Sequence, residues 1–150
     1  MTPIPATKTI LIVDDSDDDY DATVRALRKG KSLKNPLRRC ESGREALDYL
    51  YRRGRYAPPA EAPRPGIVLL DLNMPGIDGR KVLSTVKNDA DLRPIPVIVM
   101  TNSSDESDVA TCYDFGANTY IQKPLDWTSF FESARRIKEY WFETAVLPRA

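Results

Sequence analysis

Short apolar runs in this chain stop abruptly at polar residues, and that pattern restricts the fold more than any other feature. Ile67-Val68-Leu69-Leu70 ends at Asp71 and is followed by the turn residues Asn73-Met74-Pro75-Gly76. An apolar run bounded by turn signals reads as a strand buried on both faces, the kind found at the centre of a parallel sheet. Thr9-Ile10-Leu11-Ile12-Val13 ends in the same way at Asp14-Asp15, and Val97-Ile98-Val99-Met100 ends at Thr101. A shorter run, Thr119-Tyr120-Ile121-Gln122, ends at Lys123 before Pro124, and residues 36–40 form a further short strand.

Amphipathic stretches separate these runs. Tyr20, Val24 and Leu27 fall at helical spacing, with Gly30 as the stop. Ser42-Gly43-Arg44-Glu45 and Ser103-Ser104-Asp105-Glu106 read as capping boxes. The first opens a helix with Ala46, Leu47, Leu50 and Tyr51 on its apolar face, the second a helix with Val109, Cys112 and Tyr113. Val82, Leu83 and Val86 mark another helix over 79–88. Strands therefore alternate with helices five times. That order predicts an α/β domain with a parallel sheet, right-handed crossovers and helices on both faces.

Two segments stand outside the alternation. Residues 52–65 carry Pro58, Pro59, Pro63 and Pro65, so they read as a long surface loop, either a tolerated insertion or a partner-binding segment. The last helix, capped by Asp126, carries Trp127, Phe130, Phe131, Ala134, Ile137 and Trp141 at 3.6-residue spacing. Tyr140, Trp141 and Phe142 are consecutive and so span most of a helix circumference. Core packing alone does not need all three, and the excess predicts a homodimer surface there.

Composition narrows the function classes. The 150 residues suffice for one domain, and 41% are hydrophobic. Lys+Arg and Asp+Glu both number 22, so no overall basic field points to nucleic acid or a membrane surface. The basic residues over 25–39 read as a solvated face. The chain has no histidine, which excludes a Ser/His triad, histidine-ligated zinc and a phosphohistidine. Cys40 and Cys112 are far apart and lie in apolar-patterned segments, so they read as buried free thiols in a reducing compartment. With no signal-peptide pattern and no apolar run of membrane-spanning length, a soluble cytoplasmic protein is expected.

In a parallel sheet all carboxyl ends lie on one edge, so Asp14, Asp15, Asp71, Thr101 and Lys123 should converge. Any one of them alone would pass as a cap or a turn former. Three carboxylates in one place repel, and one lysine plus one divalent cation would balance them. Oxygen donors without His or Cys select a hard ion, and Mg²⁺ suits a few carboxylates with a phosphoryl oxygen. The set fits phosphoryl transfer onto a carboxylate, where catalysis is mostly positioning and electrostatics. Asp71, on the central strand, is the expected nucleophile, and the Asn73 carbonyl a further metal ligand.

These motifs resemble the receiver domain of two-component response regulators. The resemblance rests on Val13-Asp14-Asp15, Leu70-Asp71-Leu72-Asn73-Met74-Pro75-Gly76-Ile77-Asp78-Gly79, Met100-Thr101 and Tyr120-Ile121-Gln122-Lys123-Pro124. It implies a flavodoxin-like (βα)5 fold with strand order 2-1-3-4-5, as one receiver domain over 1–150. Its core would be about 8–140, with an extended last helix and 141–150 as extension. It implies a phosphoacceptor at Asp71 and Mg²⁺ on Asp14, Asp15, Asp71 and the Asn73 carbonyl. Thr101 and Lys123 would contact the phosphoryl group, Tyr120 would be a switch aromatic following Thr101, and a cis bond would precede Pro124. Asn102 departs from the family, where a small residue is usual, which bears on access to the phosphoryl site.

The loop over 52–65 and the extended last helix are similar to the stand-alone regulators of bacterial and cyanobacterial phytochromes. That narrower likeness implies a bacteriophytochrome histidine kinase as partner and a homodimer through Tyr140, Trp141 and Phe142. With no second domain, the expected output is a protein contact, a phosphorelay step or dimer competition. Two other classes fit worse. An Mg²⁺-dependent aspartyl-phosphate hydrolase of the haloacid-dehalogenase kind needs a second Asp where this chain has Asn73. A nucleotide-binding switch needs a G-x-x-x-x-G-K-[ST] loop, which is absent.

Overall fold

A computed structural model describes residues 8–29 and 33–148; the Gly30 helix stop lies outside them. Five strands form one parallel sheet: β1 (Thr9–Val13), β2 (Leu37–Cys40), β3 (Pro65–Leu70), β4 (Val97–Thr101) and β5 (Thr119–Gln122). Their order is β2-β1-β3-β4-β5, as the resemblance implied. Five helices connect and flank them: α1 (Asp17–Arg28), α2 (Gly43–Tyr51), α3 (Gly79–Asn88), α4 (Glu106–Asp114) and α5 (Trp127–Ile137).

The apolar runs are continuous because both faces of the central strands are covered. Leu11, Val13, Val68, Leu70, Val97 and Val99 point to one face, where they meet α2 and α3 through Leu47, Val82, Leu83 and Val86. Ile10, Ile12, Ile67, Leu69, Ile98 and Met100 point to the other, against Leu27 of α1 and Phe130 and Ile137 of α5. The alternation follows from the two-residue period of a strand.

Helix starts follow local chemistry, with one change from expectation. Ser42 accepts the Glu45 N–H at 3.1 Å, and Asp126 accepts the Ser129 N–H at 2.8 Å. The cap of α4 is Asp105, which accepts from Ser107 N–H at 2.9 Å. Ser103 is not a cap; its hydroxyl donates to Asp108 at 2.6 Å. Its oxygen accepts the Asp105 N–H at 3.3 Å, one residue ahead of the helix and not within its first turn.

The 52–65 segment is fastened down along much of its length. Gly54–Tyr56 form a 3-10 turn, and Tyr56 is buried with its ring 5.1 Å from that of Tyr49. The Tyr56 hydroxyl donates to Glu45 at 2.6 Å, and the Tyr49 hydroxyl donates to the Pro63 carbonyl at 2.7 Å. Pro65 takes the first position of β3, which a proline tolerates.

The last helix does not run on regularly. After Ile137 the backbone widens into a π turn over Lys138–Phe142. The extra residue rotates Phe142 inward to 5% exposure, packed with the α1/α5 side of the core, while Tyr140 is 57% exposed. Phe142 is therefore core in a single chain rather than part of a free surface with Tyr140 and Trp141. Trp127, grouped with the buried stripe in the sequence, is 51% exposed.

Gly79, at the start of α3, couples this frame to the site. A Cβ there would lie 2.2 Å from the Asp71 carbonyl oxygen and 2.7 Å from Leu72 Cα. Both are backbone atoms, so the strand end would have to move. Gly79→Ala should cost about 1–3 kcal/mol, the usual range for overpacking, measured by urea denaturation. A midpoint equal to wild type would show that the contact is not tight.

Candidate functional site

The sheet ladder runs one residue past the strands and fixes the site backbone. Asp71 N–H donates to the Val13 carbonyl at 2.9 Å, and Asp14 N–H donates to that of Cys40 at 3.0 Å. Lys123 N–H donates to the Thr101 carbonyl at 2.7 Å. Val13 lies in register with Leu70, so the residues after them, Asp14 and Asp71, stand side by side. Asp14, Asp71, Thr101 and Lys123, from four different strand ends, are all buried at one edge, with Asp15 exposed beside them.

Lys123 ties the acids together. Its side chain is 3% exposed, and its Nζ lies 2.8 Å from Asp14 Oδ2, 2.8 Å from Asp19 Oδ2 and 3.4 Å from Asp71 Oδ2. An ammonium has three donors, and each has a carboxylate. Burial alone would depress the ammonium, but Asp14 first, then Asp19 and Asp71, outweigh it and hold Lys123 above its ordinary pKa. Burial also raises the Asp14 carboxyl, against the pull of Lys123 and the Ser16 N–H.

Asp19 is the site residue that sequence reasoning missed. Six aspartates crowd 14–21, and nothing local says which one turns inward. Ser16 is the N-cap of α1 and accepts the Asp19 N–H at 3.2 Å. In a capping box the acid at that third position reaches back to the cap N–H. Here Asp14 Oδ1 already takes the Ser16 N–H at 2.9 Å, and the Asp19 carboxylate goes to Lys123. The Ser16–Asp19 spacing was a readable signal for the cap, though not for the partner. Arg39 was also read only as solvated surface. Its guanidinium donates to the Asp14 carbonyl at 3.2 Å and to Asp17 at 2.7 Å, and lies 4.7 Å from the Tyr20 ring centroid, pinning the turn after β1.

Carboxylate oxygens of Asp14, Asp15 and Asp71 all lie within 4.8 Å of one another. With Asp19 included, four carboxylates share this edge with one ammonium, which pairs with three of them. That excess of negative charge and the all-oxygen donor set fit a hard divalent cation such as Mg²⁺. Asn73 sits over the same edge. Its N–H donates to Asp71 Oδ1 at 3.3 Å, and its side-chain amide donates to Thr101 Oγ1 at 3.3 Å.

Tyr120 is half-buried, and its hydroxyl donates to the Ser103 carbonyl at 2.8 Å. Ser103 bonds Asp108, and Arg80 Nη2 of α3 pairs with Asp108 at 2.7 Å. These two partners, the Ser103 hydroxyl first, hold the Asp108 carboxyl below the usual carboxylate range. The segment following Thr101 is thus tied to Tyr120 on one side and to α3 on the other. The bond before Pro124 is trans, unlike the family expectation; the cis bond among the described residues is Pro58–Pro59. Lys123 is held by its ladder bond and three ion pairs. Cys40 and Cys112 are both buried and free, and burial pushes the Cys40 thiol up to about 12, which leaves it unreactive.

Comparison with known proteins agrees with this geometry. The family described as the response regulator receiver domain matches residues 10–135. Response regulator Rcp1 of Synechocystis sp. is 37% identical over 143 residues, 95% of each chain. Two solved structures are similar, each 36% identical with a TM-score of 0.88, covering 95% of this chain and 99% of the other. One is the phosphorylated cyanobacterial phytochrome response regulator RcpA; the other is the Mn(2+)-bound form of response regulator Rcp1.

Removing the lysine leaves Asp14 and Asp71 buried without their cation. Lys123→Met should lower stability in chelator by about 3–5 kcal/mol, the cost of breaking a buried pair. Mg²⁺ should restore a larger share of stability in the variant than it adds to wild type, because it supplies positive charge to the same acids. Denaturation with and without Mg²⁺ measures both; equal Mg²⁺ increments would rule out this reading.

Proposed function

The chain belongs to the response regulator receiver family, and from that premise we propose that Asp71 is its phosphoacceptor. Receivers of this family take a phosphoryl group from a cognate histidine kinase, and that is the activity of this chain. Asp14, Asp15, Asp71 and the Asn73 carbonyl would hold Mg²⁺, while Thr101 and Lys123 would meet the phosphoryl oxygens. The observation that carries the assignment is the Lys123 ammonium, buried against both Asp14 and Asp71 at the end of the central strand.

The transfer is an in-line displacement. An Asp71 carboxylate oxygen attacks phosphorus, the phosphorus–nitrogen bond to the kinase histidine breaks, and its electron pair stays on the imidazole, which then takes up a proton. The product is an aspartyl phosphate. When bound, Mg²⁺ would supply positive charge to the phosphoryl oxygens. Lys123 adds a fixed cation already desolvated, and the Thr101 hydroxyl a donor. The Asn73 amide is far too weak an acid to serve as a general acid, which argues against a phosphatase that turns over.

The partner is a phytochrome-type histidine kinase. Support comes from the likeness to a phytochrome response regulator across nearly the whole chain. A homodimer forms through the exposed Tyr140 and half-buried Trp141, which line an apolar groove with Ile121 and Ile137. Tyr120 and Thr101 move together as the switch. Among the described residues no helix is long and apolar enough to cross a membrane, and the neutral charge balance argues against nucleic acid.

Asp71→Asn should abolish labelling by a phytochrome-type kinase and by acetyl phosphate, read by phosphate-affinity electrophoresis; labelling that survives would move the acceptor elsewhere. Tyr140→Glu should convert dimer to monomer in light scattering. It is a cleaner test than truncation, which would also remove the buried Phe142. An unchanged mass would remove the tail from the interface.

A further inference from the structure

Lys123 serves two anions in the reaction, the site carboxylates and the incoming phosphoryl group. Its third carboxylate partner, Asp19, belongs to neither the acid trio nor the acceptor. Asp19 lies on α1, reaches Lys123 at 2.8 Å, and is the most exposed of its three acid partners at 21%. The contact is as short as that to Asp14 and shorter than that to Asp71. With Asp14 engaged as a cation ligand, Asp19 would still hold the ammonium. The same carboxylate competes with a phosphoryl oxygen for that ammonium.

We propose that Asp19 is a positioning residue that divides the charge of Lys123, favouring entry of the divalent cation and weakening capture of the phosphoryl group. Electrostatics fixes the signs. Removing one negative charge at this distance weakens a cation and strengthens an anion bound beside Lys123. A purely structural role would instead weaken both, because both use the same strand ends. The inference rests on the assignment of Asp71, Asp14 and Asp15 as the phosphoryl and metal site.

Asp19→Asn keeps the shape and an acceptor oxygen while removing the charge. Two binding measurements on the full chain read the division. One is Mg²⁺ titration by calorimetry; the other is beryllofluoride, a phosphoryl mimic, titrated at saturating Mg²⁺ and followed by NMR. The Mg²⁺ Kd should rise, and the half-saturating beryllofluoride concentration should fall, each by roughly three- to tenfold, the weight of one partly solvated charge. Asp18→Asn, at an exposed neighbouring aspartate of α1 outside the three ion pairs of Lys123, should move neither by as much as twofold, a shift under about half a kcal/mol. Constants that do not change, or that weaken together, overturn the proposal, and so does an equal effect from Asp18→Asn. A wild-type chain that binds neither probe removes the phosphoacceptor reading and this inference with it. Wild-type binding of both without the split in Asp19→Asn removes this inference alone.

Discussion

The buried ammonium of Lys123 among Asp14, Asp19 and Asp71 is the interaction on which the rest of this molecule depends. Ions inside a protein lose hydration worth several kcal/mol each, and only close pairing with good geometry offsets it. Here the pairing is lopsided. Asp14 and Asp71 are almost fully buried, Asp15 and Asp19 lie beside them, and one lysine answers them. The site is therefore held together and short of positive charge at once. The shortage makes an all-oxygen edge of a sheet receptive to a divalent cation, and the pairing keeps the lysine in place.

The frame around this cluster is built to hold backbone more than to pack side chains. The bonds that set Asp14, Asp71 and Lys123 are ladder bonds continued beyond the strands. Gly79 brings the first turn of α3 against the Asp71 carbonyl, closer than any Cβ would allow. Arg39 clamps the Asp14 carbonyl from the neighbouring strand. Displacement of any of these would move a carboxylate relative to Lys123, where contacts between 2.8 and 3.4 Å already separate a bonded acid from a looser one. On the far side, the run from Arg80 through Asp108 and Ser103 to Tyr120 ties the segment after Thr101 to α3. A shift of Thr101 toward a phosphoryl oxygen would be felt along that run.

Elements with a strong local pattern were legible from the residues alone. The continuous apolar runs marked β1, β3 and β4, and α3 ran over the span its stripe predicted, because strand and helix periods are properties of consecutive residues. Weak patterns misled. Ser103-Ser104-Asp105-Glu106 read as a capping box, yet Asp105 caps the helix while the Ser103 hydroxyl donates to Asp108. The Arg- and Pro-rich segment over 52–65 looked free, yet Tyr56 seats on Tyr49 from outside any periodic stretch. Tyr140, Trp141 and Phe142 looked equivalent, and one extra residue in a π turn made Phe142 core and left Tyr140 outside.

The residues alone determined that Asp14, Asp15, Asp71, Thr101 and Lys123 would share an edge, since parallel strands must bring their carboxyl ends together. Which carboxylates Lys123 would touch was decided only in three dimensions. Asp19 is 104 positions from Lys123, and its choice over Asp17, Asp18 or Asp21 depends on the phase of α1 set by the Ser16 cap. It also depends on how that helix packs against α5. Local sequence encodes period and capping. The distance between a lysine and one aspartate among six is a property of the packed whole.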